Sequence, residues 1–338
     1  MSRKLVAYLV LLAAAILGAL VLRGSREREL VVFCAGSLKI PLEKLAEEYM
    51  KQHPGVSVII EASGSVEAVR KVTELQRRCD VLALADYRLI PSYMIPEHTS
   101  FYVTFATNEI VLCYTDKSKH AGEITADNWH QILRRSGVRY GFSDPNKDPC
   151  GYRSVIVIAL ASLHYGDPAI LEELVLEKSN IELRKQGGRL HLHVPASLSV
   201  RGGLVVRAKS VDLIALLEAG SLDYAFEYRS VAVQHGLKFI ELPSEISLGN
   251  PLHEDFYKKA SVHILCGTDK EREIEGKPIV YGATIPATAE NMKGAVEFLK
   301  LLLGDAGREV FTTCGQPFLR KPAGFGELPE ELKPLVGG

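Results

Sequence analysis

The sequence predicts an α/β protein of two lobes, each built on a mostly parallel sheet flanked by helices. Short apolar strands alternate with amphipathic helices along the chain, and this alternation is typical of a parallel sheet. The extended segment Phe101–Tyr114 is apolar at both ends and polar in the middle, as expected for a strand that passes from one lobe to the other. The length of 338 residues is enough for about two domains with cores of their own.

The first strand–turn–helix unit lies near the start of the predicted fold. Val31–Phe33 is expected to be a buried strand, and apolar residues at helical spacing from Leu42 to Tyr49 predict a helix. The turn between them contains Gly36 and Ser37. Such a turn leaves backbone N–H groups unpaired next to the positive end of the helix dipole, an arrangement that favours anions. Ser37 is therefore a candidate anion ligand, and a simple helix cap is the alternative.

The same unit is repeated further along the chain. A second strand, a Ser-Gly-Ser turn and a helix are predicted between residues 56 and 78, with the turn at residues 63–65 and a third strand at residues 81–85. Ligands of parallel α/β sheets bind at the carboxyl ends of the strands, where both turns would lie. The hydroxyls of Ser37 and Ser65 are then expected to converge on one anion.

Two acidic residues lie at later junctions. Asp148 is in a stiff loop at residues 144–154, where two prolines fix φ, and an apolar helix over residues 155–164 follows. Glu218 lies in the last turn of a predicted helix over residues 210–219, where negative charge is mildly unfavourable with the helix dipole. The pattern alone leaves two explanations open, because Asp148 can be a turn or cap residue and Glu218 a solvated surface residue.

The order of these elements predicts the domain organisation. We expect residues 30–108 and 246–338 to form lobe I, and residues 109–245 to form lobe II. Strands at residues 190–194 and 203–208 are predicted around a hairpin. The later elements are predicted as strands at 261–266 and 278–284 on either side of a charged hairpin tip, helices at 291–303 and 305–313, and an irregular tail at 322–338.

The histidines and cysteines give little sign of a zinc site. His191 and His193 alternate in the strand-like run LHLHV, and the six cysteines form no CxxC pair. We therefore expect the two histidines to lie on one solvated face of a strand. Cys150 is placed in a loop. The other cysteines considered lie in or beside apolar runs, where buried free thiols are favoured over disulfides: Cys34, Cys79, Cys113 and Cys266.

The N-terminal 29 residues are set apart from the fold. Arg3 and Lys4 precede an unbroken apolar run, Leu5–Leu22, which is the pattern of a secretory signal. The run is about long enough to span a bilayer, so an uncleaved anchor is also open. Residues 1–29 are accordingly interpreted as a signal or anchor plus linker, and the rest of the chain as exported. The net charge of −1 gives no support for nucleic-acid binding.

The chain resembles the extracytoplasmic substrate-binding proteins of ABC importers, and among them the archaeal-type molybdate/tungstate-binding proteins. The resemblance runs from about Glu29 to Phe318. It is carried by six stretches: AGSL from Ala35, EASGS from Glu61, FATNEIVL from Phe105, DPCGYRS from Asp148, LLEAGSLDY from Leu216 and KPIVYGATIP from Lys277. The resemblance implies a periplasmic-binding-protein-like fold of type II, with an oxyanion in the cleft between its lobes.

The resemblance also implies roles for individual residues. The hydroxyls of Ser37 and Ser65, with Tyr228 as a further contact, would bind the oxyanion oxygens. The carboxylates of Asp148 and Glu218 would bind the tungsten or molybdenum centre itself. One departure is Glu227, which stands where the family pattern leads us to expect an apolar residue.

The resemblance extends to cofactors, partners and location. It implies no cofactor, a tungstate or molybdate ligand, an ABC permease as partner and a monomer outside the cytoplasm, held at the membrane by the N-terminal segment if that segment is retained.

Simple electrostatics favours a metal oxyanion over sulfate or phosphate. A carboxylate about 4 Å from an anionic charge costs about 4 kcal/mol at an effective dielectric constant of 20. Asp148 and Glu218 therefore suit an oxyanion only if they bond to its central atom. Tungsten and molybdenum can expand their coordination from four to six oxygens, whereas sulfur and phosphorus cannot readily do so. The pair would then reject sulfate and phosphate by repulsion.

The residue patterns leave two other functions open. The first is a receptor of the same fold for sulfate, phosphate or a small organic anion. The second is an enzyme with Cys150 or Ser65 as its nucleophile. Neither residue lies in a GxSxG motif, and no motif places a histidine to activate either one. The sequence therefore favours a binding protein.

Overall fold

The computed structural model describes residues 29–337. The predicted signal or anchor at Leu5–Leu22 lies outside the described residues. Among the residues that are described, no helix is both long enough and apolar enough to cross a membrane. The chain divides into two compact units. Unit 1 takes in the described residues through Ala106, Val280–Thr313 and those from Phe318 onward, and unit 2 takes in Thr107–Ile279 and Cys314–Pro317.

Strands and helices alternate through both units. The strands are β1 (Glu29–Ala35), β2 (Ser57–Ser63), β3 (Val81–Leu84), β4 (Phe101–Asn108), β5 (Ile110–Tyr114), β6 (Tyr140–Ser143), β7 (Glu182–Gln186), β8 (Arg189–Pro195), β9 (Leu204–Arg207), β10 (Tyr224–Tyr228), β11 (Lys238–Glu241), β12 (Ala260–Cys266), β13 (Arg272–Glu275), β14 (Ile279–Thr284) and β15 (Phe318–Gly326). The α-helices are α1 (Lys39–Gln52), α2 (Ser65–Thr73), α3 (Leu89–Tyr93), α4 (Trp129–Arg134), α5 (Pro149–His164), α6 (Ala169–Leu171), α7 (Val211–Glu218), α8 (Arg229–Gln234), α9 (Glu254–Tyr257), α10 (Met292–Leu303) and α11 (Asp305–Thr313). Short 3₁₀ turns occur at Gly36–Leu38, Pro251–His253 and Lys333–Leu335, and a π-helical turn at Glu172–Leu176.

Unit 1 is built on a six-stranded sheet in the order β15-β4-β14-β3-β1-β2. Strand β1 is parallel to both β2 and β3, whereas β14 is antiparallel to β3 and β15 is antiparallel to β4. Helices α1 and α10 bury their apolar stripes in one cluster with this sheet, for example Leu45 and Phe298 around Val32. Burying a side chain of this size stabilises the fold by roughly 1.5–3 kcal/mol.

Unit 2 contains two sheets. A five-stranded sheet has the order β11-β5-β10-β6-β9, and a four-stranded sheet has the order β13-β12-β8-β7. Helix α5 is buried on all sides from Val155 to Ala161, as expected for a helix that is apolar all round. Its side chains share one hydrophobic cluster with Phe142 of the five-stranded sheet and Val262 of the four-stranded sheet.

The predicted alternation of strands and helices is confirmed, but two details of the sheets differ. The sheets are mixed rather than mostly parallel, because β5, β7, β11, β13, β14 and β15 each join antiparallel to a neighbour. The predicted hairpin between residues 190–194 and 203–208 is wrong. Strand β8 pairs with β7 and β12, while β9 pairs with β6 in the other sheet of unit 2.

The later part of the chain also differs from its prediction. The chain returns to unit 1 at Val280 rather than at residue 246. The reason is that β12 and β13 pair with each other and β12 pairs with β8, which keeps both in unit 2. The tail expected to be irregular contributes much of β15, which pairs antiparallel with β4. The first boundary, at Ala106, lies close to the predicted residue 108.

Candidate functional site

In unit 1, the first turn begins at the carboxyl end of β1. The chain leaves β1 through the 3₁₀ turn Gly36–Leu38 and enters α1 directly. Ser37 lies in this turn and is half-buried. The hydroxyl of Tyr281, on β14, donates a hydrogen bond to Ser37 Oγ at 3.3 Å.

The second turn is built in the same way. Strand β2 ends at Ser63, Gly64 is the N-cap, and Ser65 is the first residue of α2. The Ser65 hydroxyl accepts a hydrogen bond from the backbone amide of Ala85 at 3.2 Å. Ala85 follows the end of β3, so Ser65 reaches across the carboxyl edge of the sheet.

The register of the parallel strands places both turns at one edge of the sheet. Ala35 of β1 pairs with Ser63 of β2, and Cys34 of β1 pairs with Ala83 of β3. The prediction that the two turns lie at neighbouring strand ends is thus confirmed. Ser63 adds a third hydroxyl that the sequence did not single out. Its Oγ is buried and has no hydrogen-bond partner among the described residues.

In unit 2, Asp148 is fixed by two backbone amides. Asp148 is the N-cap of α5, and its Oδ1 accepts a hydrogen bond from the amide of Cys150 at 3.0 Å. Its Oδ2 accepts a hydrogen bond from the amide of Ser210 at 2.7 Å. The role of cap residue, left open by the sequence, is confirmed. An ionised carboxylate has about four lone-pair sites, so this role leaves capacity for a ligand.

Gly151 allows the turn around Asp148 to close. It lies in the first turn of α5, where a Cβ atom would overlap the carbonyl oxygen of Ser143 at the end of β6. Only glycine permits this approach of helix to strand. The glycine in the DPCGYRS stretch therefore has a packing reason that is independent of any ligand.

The structure does not bring Glu218 to Asp148. Asp148 binds the amide of Ser210, immediately before α7, whereas Glu218 is the last residue of α7 and is exposed. Eight residues at 1.5 Å each separate the two ends of this helix by about 12 Å. Two carboxylates bonded to one metal atom need oxygens within about 4 Å of each other, given bond lengths near 2 Å. The length of α7 therefore speaks against one metal atom shared by Asp148 and Glu218.

Glu227 is the carboxyl group that lies near Asp148. It is on β10 with no solvent exposure, and its Oε2 accepts a hydrogen bond from the amide of Tyr228 at 2.9 Å. Its Oε1 has no hydrogen-bond partner among the described residues. Burial raises the pKa of Glu227 to about 8, against the lowering effect of the Ser210 and Tyr228 hydrogen bonds, and the charge of Asp148 adds to the rise. Glu227 is thus protonated at neutral pH, which explains how an acidic residue fits at a position expected to be apolar.

Tyr228 is paired with an arginine that the sequence analysis did not single out. The Tyr228 hydroxyl accepts a hydrogen bond from Arg153 Nη1 at 2.6 Å, and both residues are buried. Burial raises the pKa of Tyr228 well above its usual value, against the lowering effect of Arg153, so the phenol keeps its proton. The available signal was the position of Arg153 in the DPCGYRS stretch.

Cys150 does not have the environment of a nucleophile. It lies in the first turn of α5 rather than in a loop, and it is fully buried. Its sulfur is 3.7 Å from the carbonyl oxygen of Phe226. Burial raises the pKa of the thiol well above its usual value, whereas reactive cysteines have lowered pKa values and access to solvent. All six cysteines are free thiols, as expected for the four assigned from apolar runs.

Close relatives cover nearly the whole chain. An uncharacterized solute-binding protein of Staphylothermus marinus is 54% identical over 93% of this chain and 90% of its own length. The molybdate/tungstate-binding protein WtpA of Pyrococcus abyssi is 49% identical over 93% of this chain and 91% of its own length. The protein of the same name from Thermococcus kodakarensis is 48% identical over 92% of this chain and 88% of its own length.

Solved structures agree on the fold. The periplasmic molybdate-binding protein of Azotobacter vinelandii superposes with a TM-score of 0.54 at 17% identity, covering 89% of this chain and all of that one. The sulfate-binding protein SubI of Mycobacterium tuberculosis gives a TM-score of 0.54 at 11% identity, covering 86% of this chain and 87% of that one. The two-lobed α/β fold predicted from the sequence is therefore confirmed. The family described as bacterial extracellular solute-binding protein matches residues 30–315, and the chain belongs to this family.

Proposed function

We propose that this protein is an extracytoplasmic receptor that binds tungstate or molybdate and delivers it to an ABC permease. The observation that carries the proposal is the identity of 49% and 48% to two relatives named molybdate/tungstate-binding proteins. Both alignments extend over more than nine-tenths of this chain.

The oxygens of the ligand are assigned to hydroxyls and backbone amides. Ser37 lies in the turn before α1 and Ser65 is the first residue of α2, and both lie at the carboxyl edge of the unit 1 sheet. Helix N-termini favour anions because of their unpaired N–H groups and dipoles. Ser63 is a further donor, since its buried hydroxyl lacks a partner among the described residues. Tyr228 is proposed as an oxygen contact in unit 2, supported by Arg153.

The central metal atom is assigned to Asp148 alone. Two backbone amides hold its carboxylate at the starts of α5 and α7, where helix dipoles offset its negative charge. The neighbouring Glu227 is protonated at neutral pH and adds no second charge. We therefore infer a site in which the Asp148 carboxylate alone bonds to the metal atom, rather than the pair expected from the sequence, and we leave out Glu218 because it lies at the far end of α7.

This arrangement accounts for selectivity against sulfate and phosphate. One carboxylate within about 4 Å of an anionic charge costs about 4 kcal/mol at an effective dielectric constant of 20. Tungsten and molybdenum offset that cost by accepting the carboxylate oxygen as an additional ligand, which sulfur and phosphorus do not readily do. Repulsion then lowers the affinity for sulfate and phosphate more than the affinity for tungstate and molybdate.

The proposed transport function also bears on catalysis, cofactors, oligomeric state and location. We propose that the protein has no catalytic activity and needs no cofactor, which agrees with the buried, protonated state of Cys150. It acts as a monomer outside the cytoplasm and reaches its permease at the membrane, with the N-terminal segment as either a signal or an anchor.

Calorimetric titration of the purified protein with tungstate, molybdate, sulfate and phosphate tests the proposal. We expect tungstate or molybdate to bind at least about a hundredfold more tightly than sulfate, which corresponds to about 2.7 kcal/mol. Equal affinity for sulfate would instead support a receptor of the same fold for another oxyanion. Failure of all four anions to bind would overturn the proposal.

A further inference from the structure

The four-stranded sheet of unit 2 gathers three histidines on one face. His191 and His193 are two residues apart on β8 and therefore point to the same side. In the register of β8 and β12, His191 pairs with Ser261 and His193 pairs with His263. Strand β13 continues the row, because His263 pairs with Glu273. The sequence alone predicted a solvated strand face, because the partner of His193, His263, lies 70 residues further along the chain.

Three atoms in this row have the spacing of metal ligands. His191 Nδ1 is 3.4 Å from His263 Nε2 and 3.4 Å from Glu273 Oε1, and the third distance, from His263 Nε2 to Glu273 Oε1, is 3.8 Å. Ligand atoms about 2.0–2.1 Å from a tetrahedral zinc ion lie about 3.3–3.4 Å from one another. The observed triangle needs only a few tenths of an ångström of contraction to hold such an ion.

We propose that His191, His263 and Glu273 bind a divalent transition-metal ion of the Zn²⁺ class. The ligand atoms are His191 Nδ1, His263 Nε2 and Glu273 Oε1, which lie on the adjacent strands β8, β12 and β13. Two imidazoles and a carboxylate form a donor set that zinc commonly uses, with water as the fourth ligand. This site is separate from the residues assigned to the oxyanion.

The surroundings of the three residues allow an ion to enter. The side chains of His191 and His263 are 16% and 19% exposed, and that of Glu273 is 42% exposed. Arg189 lies closer to Glu275, at 2.7 Å, than to Glu273, at 4.0 Å, which leaves Glu273 available to a metal.

Ser261 supplies a second contact that fits the proposal. Its hydroxyl is 3.0 Å from His191 Nδ1, the nitrogen that would bind the metal. A metal ion would take the lone pair of this nitrogen, so the hydrogen bond between His191 Nδ1 and the Ser261 hydroxyl is then lost. Glu273 then accepts its proton, an outer hydrogen bond of the kind that orients metal-binding carboxylates.

A second triad, formed by His193, His263 and Glu271, competes for the same histidine. Its spacing is wider, since His263 Nδ1 is 4.0 Å from Glu271 Oε1. The ring of His193 also stacks on that of His263, with centroids 4.3 Å apart and planes 12° apart, rather than meeting it edge to edge. The geometry therefore favours the first triad, and the second provides matched control residues on the same face.

Zinc titration of the full protein, first freed of metal with a chelator and monitored with a chromophoric competitor, tests this assignment. We expect one Zn²⁺ per chain, and Co²⁺ in its place should give the visible absorption of a four-coordinate site. His191→Ala and Glu273→Gln should each weaken Zn²⁺ binding at least about tenfold. The controls His193→Ala and Glu271→Gln should bind Zn²⁺ with an affinity within about twofold of that of the parent protein.

Several outcomes would overturn the assignment. These are the absence of stoichiometric Zn²⁺ binding, wild-type affinity in His191→Ala, or a loss of affinity in His193→Ala that is as large as in His191→Ala. Circular dichroism and tungstate titration show whether each variant is folded. If His191→Ala does not fold, the comparison moves to Glu273→Gln, a change that keeps the size of a side chain that is 42% exposed.

Discussion

The side chain of Asp148 accepts a hydrogen bond from the backbone amide of Ser210 at 2.7 Å, joining two positions 62 residues apart in the sequence. The same carboxylate caps α5 through the amide of Cys150. One acidic side chain thus links the starts of α5 and α7 within unit 2. This contact fixes the position of the carboxylate that the proposed function assigns to the metal atom of the ligand.

The double hydrogen bond of Asp148 predicts a loss of stability on substitution. Asp148→Ala should lower the free energy of unfolding by about 1–3 kcal/mol, since loss of an N-cap costs about 0.5–2 kcal/mol and a second amide loses its acceptor. Asp148→Asn should lower the free energy of unfolding by less, because its carbonyl oxygen can still accept a hydrogen bond from one of the two amides. Urea denaturation measures both values, and equal stability of Asp148→Ala and the parent protein would show that these bonds contribute nothing.

The close contact at Gly151 predicts a strong effect of one methyl group. Gly151→Ala should destabilise the protein by at least about 1–3 kcal/mol, because the added Cβ overlaps the Ser143 carbonyl oxygen and forces α5 away from β6. Gly122→Ala is the matched control, since a Cβ at Gly122 meets no atom within 4 Å. Thermal unfolding compares the two, and similar melting temperatures for both variants would refute the packing argument.

The buried carboxyl of Glu227 predicts a specific pH dependence of stability. Because its pKa is raised from 4.5 to about 8 in the folded protein, the folded state holds an extra proton between these pH values. This contribution to stability is complete below pH 4.5 and is lost as the pH rises towards 8, at about 1.4 kcal/mol per pH unit. Glu227→Gln has no proton to lose, so its stability relative to the parent protein should rise steadily from pH 5 to pH 8.

The control for this measurement is Glu218→Gln, in which an exposed glutamate is changed in the same way. This variant shows how much of any change comes from replacing a glutamate at the surface rather than a buried one. Denaturation curves at three pH values are sufficient. A Glu227→Gln variant whose relative stability is flat between pH 5 and pH 8 would mean that Glu227 is ionised in the folded protein.

The serines at the edge of the unit 1 sheet predict modest losses of ligand affinity. Ser37→Ala and Ser65→Ala should each weaken tungstate binding by about 3- to 10-fold, which corresponds to a hydrogen bond of about 1 kcal/mol. Ser57→Ala changes an exposed serine at the opposite end of β2 and should leave the affinity unchanged. Wild-type affinity in both Ser37→Ala and Ser65→Ala would remove these residues from the proposed site.

Local patterns were sufficient to predict the strand–turn–helix units and the position of Ser37 and Ser65. The Gly-Ser turns, the helical spacing after them and the parallel register all depend on residues close together in the chain. Asp148 was also predictable as a cap, because it stands directly before Pro149 at the start of α5.

The failures involve contacts between distant parts of the chain. The sequence does not reveal that β8 joins β12 rather than β9, because both pairings satisfy the same alternation of apolar and polar residues. The position of Glu218 relative to Asp148 could not be predicted for a related reason. A short motif specifies that a glutamate ends α7, but only the fold shows that the start of α7, rather than its end, meets Asp148.

The most direct test of the account is the tungstate affinity of Asp148→Ala and Glu218→Ala, measured by calorimetry beside the parent protein. The account predicts that Asp148→Ala loses at least about tenfold in affinity, or about 1.4 kcal/mol, while Glu218→Ala binds as the parent protein does. Circular dichroism and unfolding curves establish that both variants are folded under the conditions of titration. Unchanged tungstate affinity in a folded Asp148→Ala variant would contradict the account.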